Sequence, residues 1–308
     1  MPTYSDVISR SDVGALIPED VSREIWQAMP GESAALALFR HVRMSRAQQR
    51  MPVLSALPLA YFVNGDTGLK QTTDIGWDNV YLNVEEEAVL VPIPEAVLDD
   101  AGFDVWGEIK PRLVEAIGRT LDAAIFFGTN KPASWPTAIA VAAAAASNVV
   151  VRGTSTQAQG GIMGDLSAAF TKVEEDGFDV SMIVANRTWK GLIRNVRDTT
   201  GQKLLDSIGV DFTYPMRGMF PTGASATEVI LGDRSQAVIG IRQDITWKIL
   251  DQAVIQDAAG AIVFNLAQQD MVALRVTFRV AWAVPNPINY DNSNAATRYP
   301  FAIVNAPA

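Results

Sequence analysis

Cysteine is absent from the 308 residues, and histidine occurs once, at His41. Without cysteine there are no disulfides and no thiolate metal sites. A lone histidine inside the arginine-rich stretch Arg40, Arg43, Arg46 and Arg50 builds no Ser-His-Asp or Cys-His constellation; its expected place is the surface or the edge of the core. Charge is also sparse. Charged residues make up 19% of the chain, against about a quarter in ordinary globular proteins. The formal net charge is −9 and there is no strongly basic tail, which argues against nucleic-acid gripping as the main task. Long apolar runs are missing too. Ala138 to Ala146 is too short and too alanine-rich to span a bilayer. Met1 to Arg10 lacks a basic segment followed by an apolar run, so no signal peptide is expected there.

What is present is apolar and patterned. At 48% hydrophobic content the chain can bury a sizeable core, as one large or two medium domains. Residues 1–35 have little apolar periodicity and read as an extended arm, with one short helix over Ser22 to Met29. Two period-two stretches follow. Leu57, Leu59, Tyr61 and Val63 alternate with their neighbours, and so do Val80, Leu82 and Val84. The turn-rich Asn64-Gly65-Asp66-Thr67-Gly68 lies between them. The pattern predicts a long β-hairpin over 50–93 with its tip near residues 64–76, marginal unless it packs on something else.

Trp106, Ile109, Leu113, Ile117, Leu121 and Ile125 form one apolar stripe, predicting a helix over 103–127. Asp104 is its expected N-cap, Gly128 its stop and Pro111 its kink or start. Residues 134–242 read as mixed α/β. A helix face at Leu166, Ala169, Phe170 and Val173 ends at Gly177, and Met182 to Ala185 is a short buried strand. Asn186 caps a helix carrying Trp189, Leu192, Ile193 and Val196; further strands run over Val229 to Leu231 and Ala237 to Ile241. The clearest signal comes last. Val272, Leu274, Val276, Phe278, Val280, Trp282 and Val284 occupy every second position, a long strand closed by Pro285 and Pro287 and preceded by a hairpin loop at Asp257-Ala258-Ala259-Gly260.

Candidate chemistry is thin. Gly160-Gly161-Ile162-Met163-Gly164-Asp165 opens a helix but lacks a P-loop lysine and dinucleotide spacing, so it reads as a flexible loop. Glu85, Glu86 and Glu87 alternate faces of a strand and do not converge on a metal or a reacting atom. With a hairpin tip near residue 70, Glu86 or Glu87 would lie across from Arg50 in a cross-strand ion pair. The seven tryptophans show no spacing for stacked bases and read as core or interface anchors. No catalytic, cofactor or metal residue is assigned, and the chain is not expected to be an enzyme.

The order of elements carries more than any motif: arm, long hairpin, long helix, α/β insert, terminal β segment. It resembles the major capsid proteins of tailed bacteriophages, the Hong Kong 97-type fold, over nearly the whole chain. Val91-Pro92-Ile93-Pro94-Glu95-Ala96-Val97-Leu98-Asp99-Asp100 is similar to that family's link into its spine helix. Leu121-Asp122-Ala123-Ala124-Ile125-Phe126-Phe127-Gly128-Thr129-Asn130 resembles the end of that helix. Asp270-Met271-Val272-Ala273-Leu274-Arg275-Val276-Thr277-Phe278-Arg279 resembles a late strand. The resemblance implies an α+β fold: an N-arm and lead-in over 1–49, an E-loop hairpin over 50–93, a P-domain with the spine helix over 94–133, an A-domain over 134–242, and P-domain return strands with a C-terminal tail over 243–308.

It also implies a structural subunit that self-assembles into hexamers and pentamers of an icosahedral shell in the virion. Such a shell is built in the host bacterial cytoplasm, encloses double-stranded DNA without sequence-specific binding, and works with a portal and with scaffold or decoration proteins; no membrane is involved. Some members carry a long N-terminal scaffolding segment. Here the hairpin begins by about residue 50, so any scaffold is expected to be separate or absent. Some members join an E-loop lysine to a neighbour's asparagine. Lys70 is the only lysine between residues 50 and 84, while Asn286, Asn289 and Asn292 lie late in the chain; a solvated charge is the ordinary role for such a lysine. Lys70, Arg50, Glu86 and Glu87 are thus the candidate inter-subunit contacts. Two other readings stand beside this one: an encapsulin-type nanocompartment shell, and an α/β enzyme centred on 134–242.

Overall fold

The computed structural model describes residues 33–63, 69–101, 104–197, 211–215 and 218–308. The expected arm over 1–35, its helix at Ser22 to Met29 and the turn Asn64 to Gly68 fall almost wholly outside these residues. In chain order the elements are α1 (Ala34–Leu38), β1 (Arg40–Arg43), β2 (Gln48–Ala56), β3 (Gly76–Asn83), β4 (Glu85–Pro94), α2 (Glu95–Asp100), α3 (Val105–Phe127), α4 (Ile139–Ala145) and β5 (Val149–Val151). They continue with α5 (Ile162–Glu175), β6 (Met182–Ala185), α6 (Trp189–Arg194), β7 (Phe212–Thr213), β8 (Thr227–Gly232), β9 (Val238–Leu250), β10 (Val254–Gln256), β11 (Ile262–Asn265), β12 (Met271–Ala283) and β13 (Phe301–Asn305). The chain divides into two compact units, and α3, β9 and β12 contribute residues to both.

In the first unit, built from 85–117 and 243–280, β12 lies between β9 and β4. β12 pairs antiparallel with β4 from Met271↔Pro94 to Val280↔Glu85 without a break. The alternation of β12 puts Leu274, Val276, Phe278 and Val280 on the buried face. Arg275, Thr277 and Arg279 take the opposite face. The start of α3 closes a small core here: Trp106 and Ile109 pack with Ile93 and Val97. Pro111 sits inside α3, two turns from its start, and does not end it. β10 and β11 form a two-stranded hairpin whose loop is the expected one, with Asp257 Oδ1 accepting from the Ala259 and Ala261 amides at 2.9 and 2.8 Å.

The second unit holds a five-stranded sheet in the order β5-β13-β8-β6-β7. Helices α5 and α6 bury Leu166, Ala169, Val173 and Trp189 against its apolar face of Ile183, Val229, Leu231 and Val304. Trp189 is fully buried and its indole N–H donates to Glu228 at 3.2 Å. Helix α3 ends where expected, at Gly128 with φ 78°, and α5 likewise stops before Gly177 with φ 75°. β13 was not foreseen. Residues 301–305, expected in a tail following the return strands, sit between β5 and β8 in the middle of the α/β sheet. Pro300 and Asn305 bound the run Phe301 to Val304, but its four apolar residues do not alternate, and so short a continuous run does not by its period separate a buried strand from a tail.

Candidate assembly surfaces

Among the described residues β2 and β3 pair only with each other, from Gln48↔Asn83 to Ala56↔Gly76. This corrects the expected hairpin at both ends. Residues 57–63 are not a strand, because a register shift between Leu54 and Ala56 and then Pro58, which has no N–H, end the ladder. The two legs still meet beyond it: Leu59 N–H donates to Thr73 Oγ1 and Tyr61 Oη–H to the Gln71 carbonyl, both at 2.9 Å. At the other end the hairpin stops at Asn83 and does not run on to 93. The Asn83 carbonyl accepts from Trp135 Nε1 at 3.1 Å, and its side chain donates to the Ser134 carbonyl at 3.0 Å. These bonds hold the chain where β4 departs to pair with β12.

The root of the hairpin is buried through Leu82, with Met51 and Val80 packed beside Met44, Val238 and Ala281. It is also tied down by Ile288 N–H to the Leu54 carbonyl at 3.2 Å and by Tyr290 Oη–H to the Pro58 carbonyl at 2.9 Å. Farther out, large apolar side chains face outward. Phe62, Leu69, Leu59 and Trp77 are 102%, 90%, 74% and 69% exposed. In this register Trp77, Tyr81, Pro52 and Arg50 share one face.

The predicted contact residues separate accordingly. Arg50 lies across from Tyr81, and Lys70 is exposed near the outer end of the same hairpin. Glu86 and Glu87 are not across from Arg50, since they belong to β4. Glu86 pairs with Arg279, their charged atoms 3.6 Å apart, and Glu87 opposes Phe278. The error lay in treating β3 and β4 as one strand. All three late asparagines use their side-chain amides within the chain. Asn286 donates to the Arg298 carbonyl at 2.8 Å, Asn289 to the Asp176 carbonyl at 2.6 Å, and Asn292 to Asp176 Oδ1 at 2.7 Å.

Asp122, Asp165 and Asp176 are buried carboxylates to which the sequence assigned no structural role. Asp122, in α3, accepts from Ser33 Oγ at 2.6 Å and from the Ala34 and Ala35 amides at 2.8 and 2.9 Å. It thereby satisfies the first amides of α1 and pins the chain that leads into the hairpin. Burial raises its pKa, and the three donors partly offset that rise. Asp165, in the first turn of α5, accepts from the Gly153 and Ser155 amides at 2.6 and 2.7 Å, so its carboxylate ties the loop after β5 to the start of the helix. Among the described residues no group of three or more His, Cys, Asp or Glu could hold a metal ion, and no helix is long and apolar enough to cross a membrane.

The whole architecture has close counterparts. A solved chain from Microbacterium phage Oxtober96 is 36% identical, covers 98% of this chain and 100% of its own, and superposes with a TM-score of 0.83. One from Mycobacterium phage Bobi is 31% identical, with coverage of 98% and 100% and a TM-score of 0.84. A major capsid protein of Staphylococcus phage 80alpha is 26% identical over 264 residues, 83% of this chain and 78% of its own length. Residues 13–288 match the phage capsid family, and on that span, with a fold shared over almost its full length, this chain belongs to the phage capsid family.

Proposed function

We propose that the chain is the major capsid protein of a tailed bacteriophage, a shell subunit without enzymatic activity. The observation that carries this reading is the β2–β3 hairpin. A two-stranded sheet is marginal alone, and this one turns a row of apolar and aromatic side chains to solvent. Trp77, Tyr81 and Arg50 on one face are the residue types that dominate interface energies. A second copy of the chain is the partner that covers them in a self-assembling shell, and contacts of this kind close into a shell under symmetry.

In this reading the hairpin is the E-loop, with Lys70 and Arg50 among its inter-subunit contacts. The long helix is the spine of the P-domain, residues 134–242 are the A-domain, and residues 1–49 are the N-arm and its lead-in. Glu86 and Glu87 lie on a P-domain strand, where a neighbouring copy would meet them. Subunits form hexamers and pentamers of an icosahedral shell that encloses double-stranded DNA. Assembly takes place in the host bacterial cytoplasm, with a portal and with scaffold or decoration proteins as partners. An encapsulin-type compartment and an α/β enzyme are not favoured by the likenesses above.

Electron microscopy of the expressed full chain tests this. Closed icosahedral particles are expected. The double variant Phe62→Ser, Trp77→Ser should fold as the parent does and form none. A parent that remains a stable monomer, or a variant that builds normal particles, overturns the reading.

A further inference from the structure

Between Glu32 and Asp66 the chain has no acidic residue, yet it carries Arg40, Arg43, Arg46 and Arg50. That run stands out in a protein whose net charge is −9. Arg40, His41 and Arg43 are exposed along β1, while Val42 between them packs into the core beside the buried Met44. The following bend is held from two sides. Arg242 donates to the Met44 and Ser45 carbonyls, and the Val84 amide donates to the Ala47 carbonyl at 2.9 Å. Gly240 leaves the room that the Met44 side chain occupies, since a Cβ there would collide with its sulfur. The result is a fixed concavity of about 440 Å³ lined by Arg43, Met44, Ser45, Arg46, Gln48 and Gln49.

Its chemistry is specific in kind. Among the described residues neither Arg43 nor Arg46 has a carboxylate partner. The lining offers two guanidinium groups, the Gln49 carboxamide and the Gln48 carboxamide, which already donates one bond to Asn83 Oδ1 at 2.9 Å, and no acid. Guanidinium forks match phosphate oxygens, and carboxamides donate to them as well. No aromatic ring lines the concavity to stack on a base, and the bases of a duplex are already stacked inside it.

We propose that this concavity is a contact for the phosphate backbone of duplex DNA, sequence-neutral and weak in each subunit. The inference deepens the reading of the chain as a shell around DNA and rests on it. Repeated over a shell, two phosphate contacts per subunit would hold a genome in place without selecting its sequence.

The test titrates the full-length subunit with labelled duplexes of about 30 base pairs and two unrelated sequences, over a series of NaCl concentrations. Arg43→Gln with Arg46→Gln should lower the slope of log affinity against log salt by about 1.8, roughly 0.9 for each lost phosphate contact. The loss should be equal for both sequences. Arg43→Lys with Arg46→Lys should keep most of the slope, and Lys248→Gln, an exposed cation outside the lining, should leave it unchanged. An unaltered slope in the Gln variant overturns the proposal. So does a variant that binds DNA as the parent does but no longer forms particles, because the concavity would then be a contact between copies. If the parent itself forms no particles, the shell reading fails, while the salt slope still decides the phosphate contact.

Discussion

The β2–β3 hairpin and the five-stranded sheet are built from similar residues and meet opposite fates. In the sheet, Ile183, Val184, Ile230, Leu231, Ala302 and Val304 are fully buried, with helices supplied by the same chain. In the hairpin, Leu59, Phe62, Leu69 and Trp77 face outward and nothing among the described residues covers them. Strand-forming residues need a cover, and they do not specify whose. One region completes its hydrophobic surface inside the subunit and supplies its stability. The other leaves that surface open, and in the proposed reading assembly is the step that buries it. The difference predicts that the same kind of side-chain truncation has unlike consequences in the two places.

The largest effect is expected at Trp189. Trp189→Ala removes a fully buried indole and leaves Glu228 short of a donor, so chemical denaturation of the unassembled subunit should show a loss of about 3–5 kcal/mol. The Asp122 anchor comes next. Asp122→Ala strands the Ser33 hydroxyl and the amides of Ala34 and Ala35, at a cost of about 3 kcal/mol.

Asp122→Asn sharpens the same point through pH. Burial raises the Asp122 carboxyl above its ordinary value of 3.8, so the folded state holds this proton more tightly than the unfolded chain does. Its contribution is therefore fully present at pH values below 3.8 and is lost as the pH rises through the folded value. Urea midpoints between about pH 3.5 and 7 should show the parent losing ground to Asp122→Asn as the pH increases. A flat difference would mean that the carboxyl is not shifted. At the small end, Glu86→Gln breaks a half-exposed ion pair with Arg279 and should cost at most about 0.5 kcal/mol. Phe62→Ser and Trp77→Ser should each change subunit stability by no more than about 0.5 kcal/mol, although together they are expected to abolish particles. If they destabilised the subunit as Trp189→Ala does, the contrast between the two regions would collapse.

The legibility of the molecule followed the same divide. Period-two alternation over 272–284 became β12, the stripe from Trp106 to Ile125 became α3, and the run Met182 to Ala185 became β6 without a shift at either end. The glycines after α3 and α5 stopped both helices. The exposed hairpin was legible as a hairpin, and Lys70 and Arg50 do lie on it. Its extent was not. The Arg50–Glu86 pairing failed because β4 turns to β12, and the Asp122 anchor left no sequence signal, because its partners lie 87 to 89 residues away.

The sequence by itself determined the long strand over 272–284, the long helix over 103–127, the short strand over 182–185, where two helices stop, and that no thiol chemistry is available. Each of those depends on neighbours a few residues apart, through backbone geometry and side-chain period. Only the tertiary structure decided which strand pairs with which, why β13 enters the α/β sheet, and which apolar face stays open. Alternation marks a strand's two faces but is blind to its partner, and partner choice is settled by contacts between residues far apart in the chain.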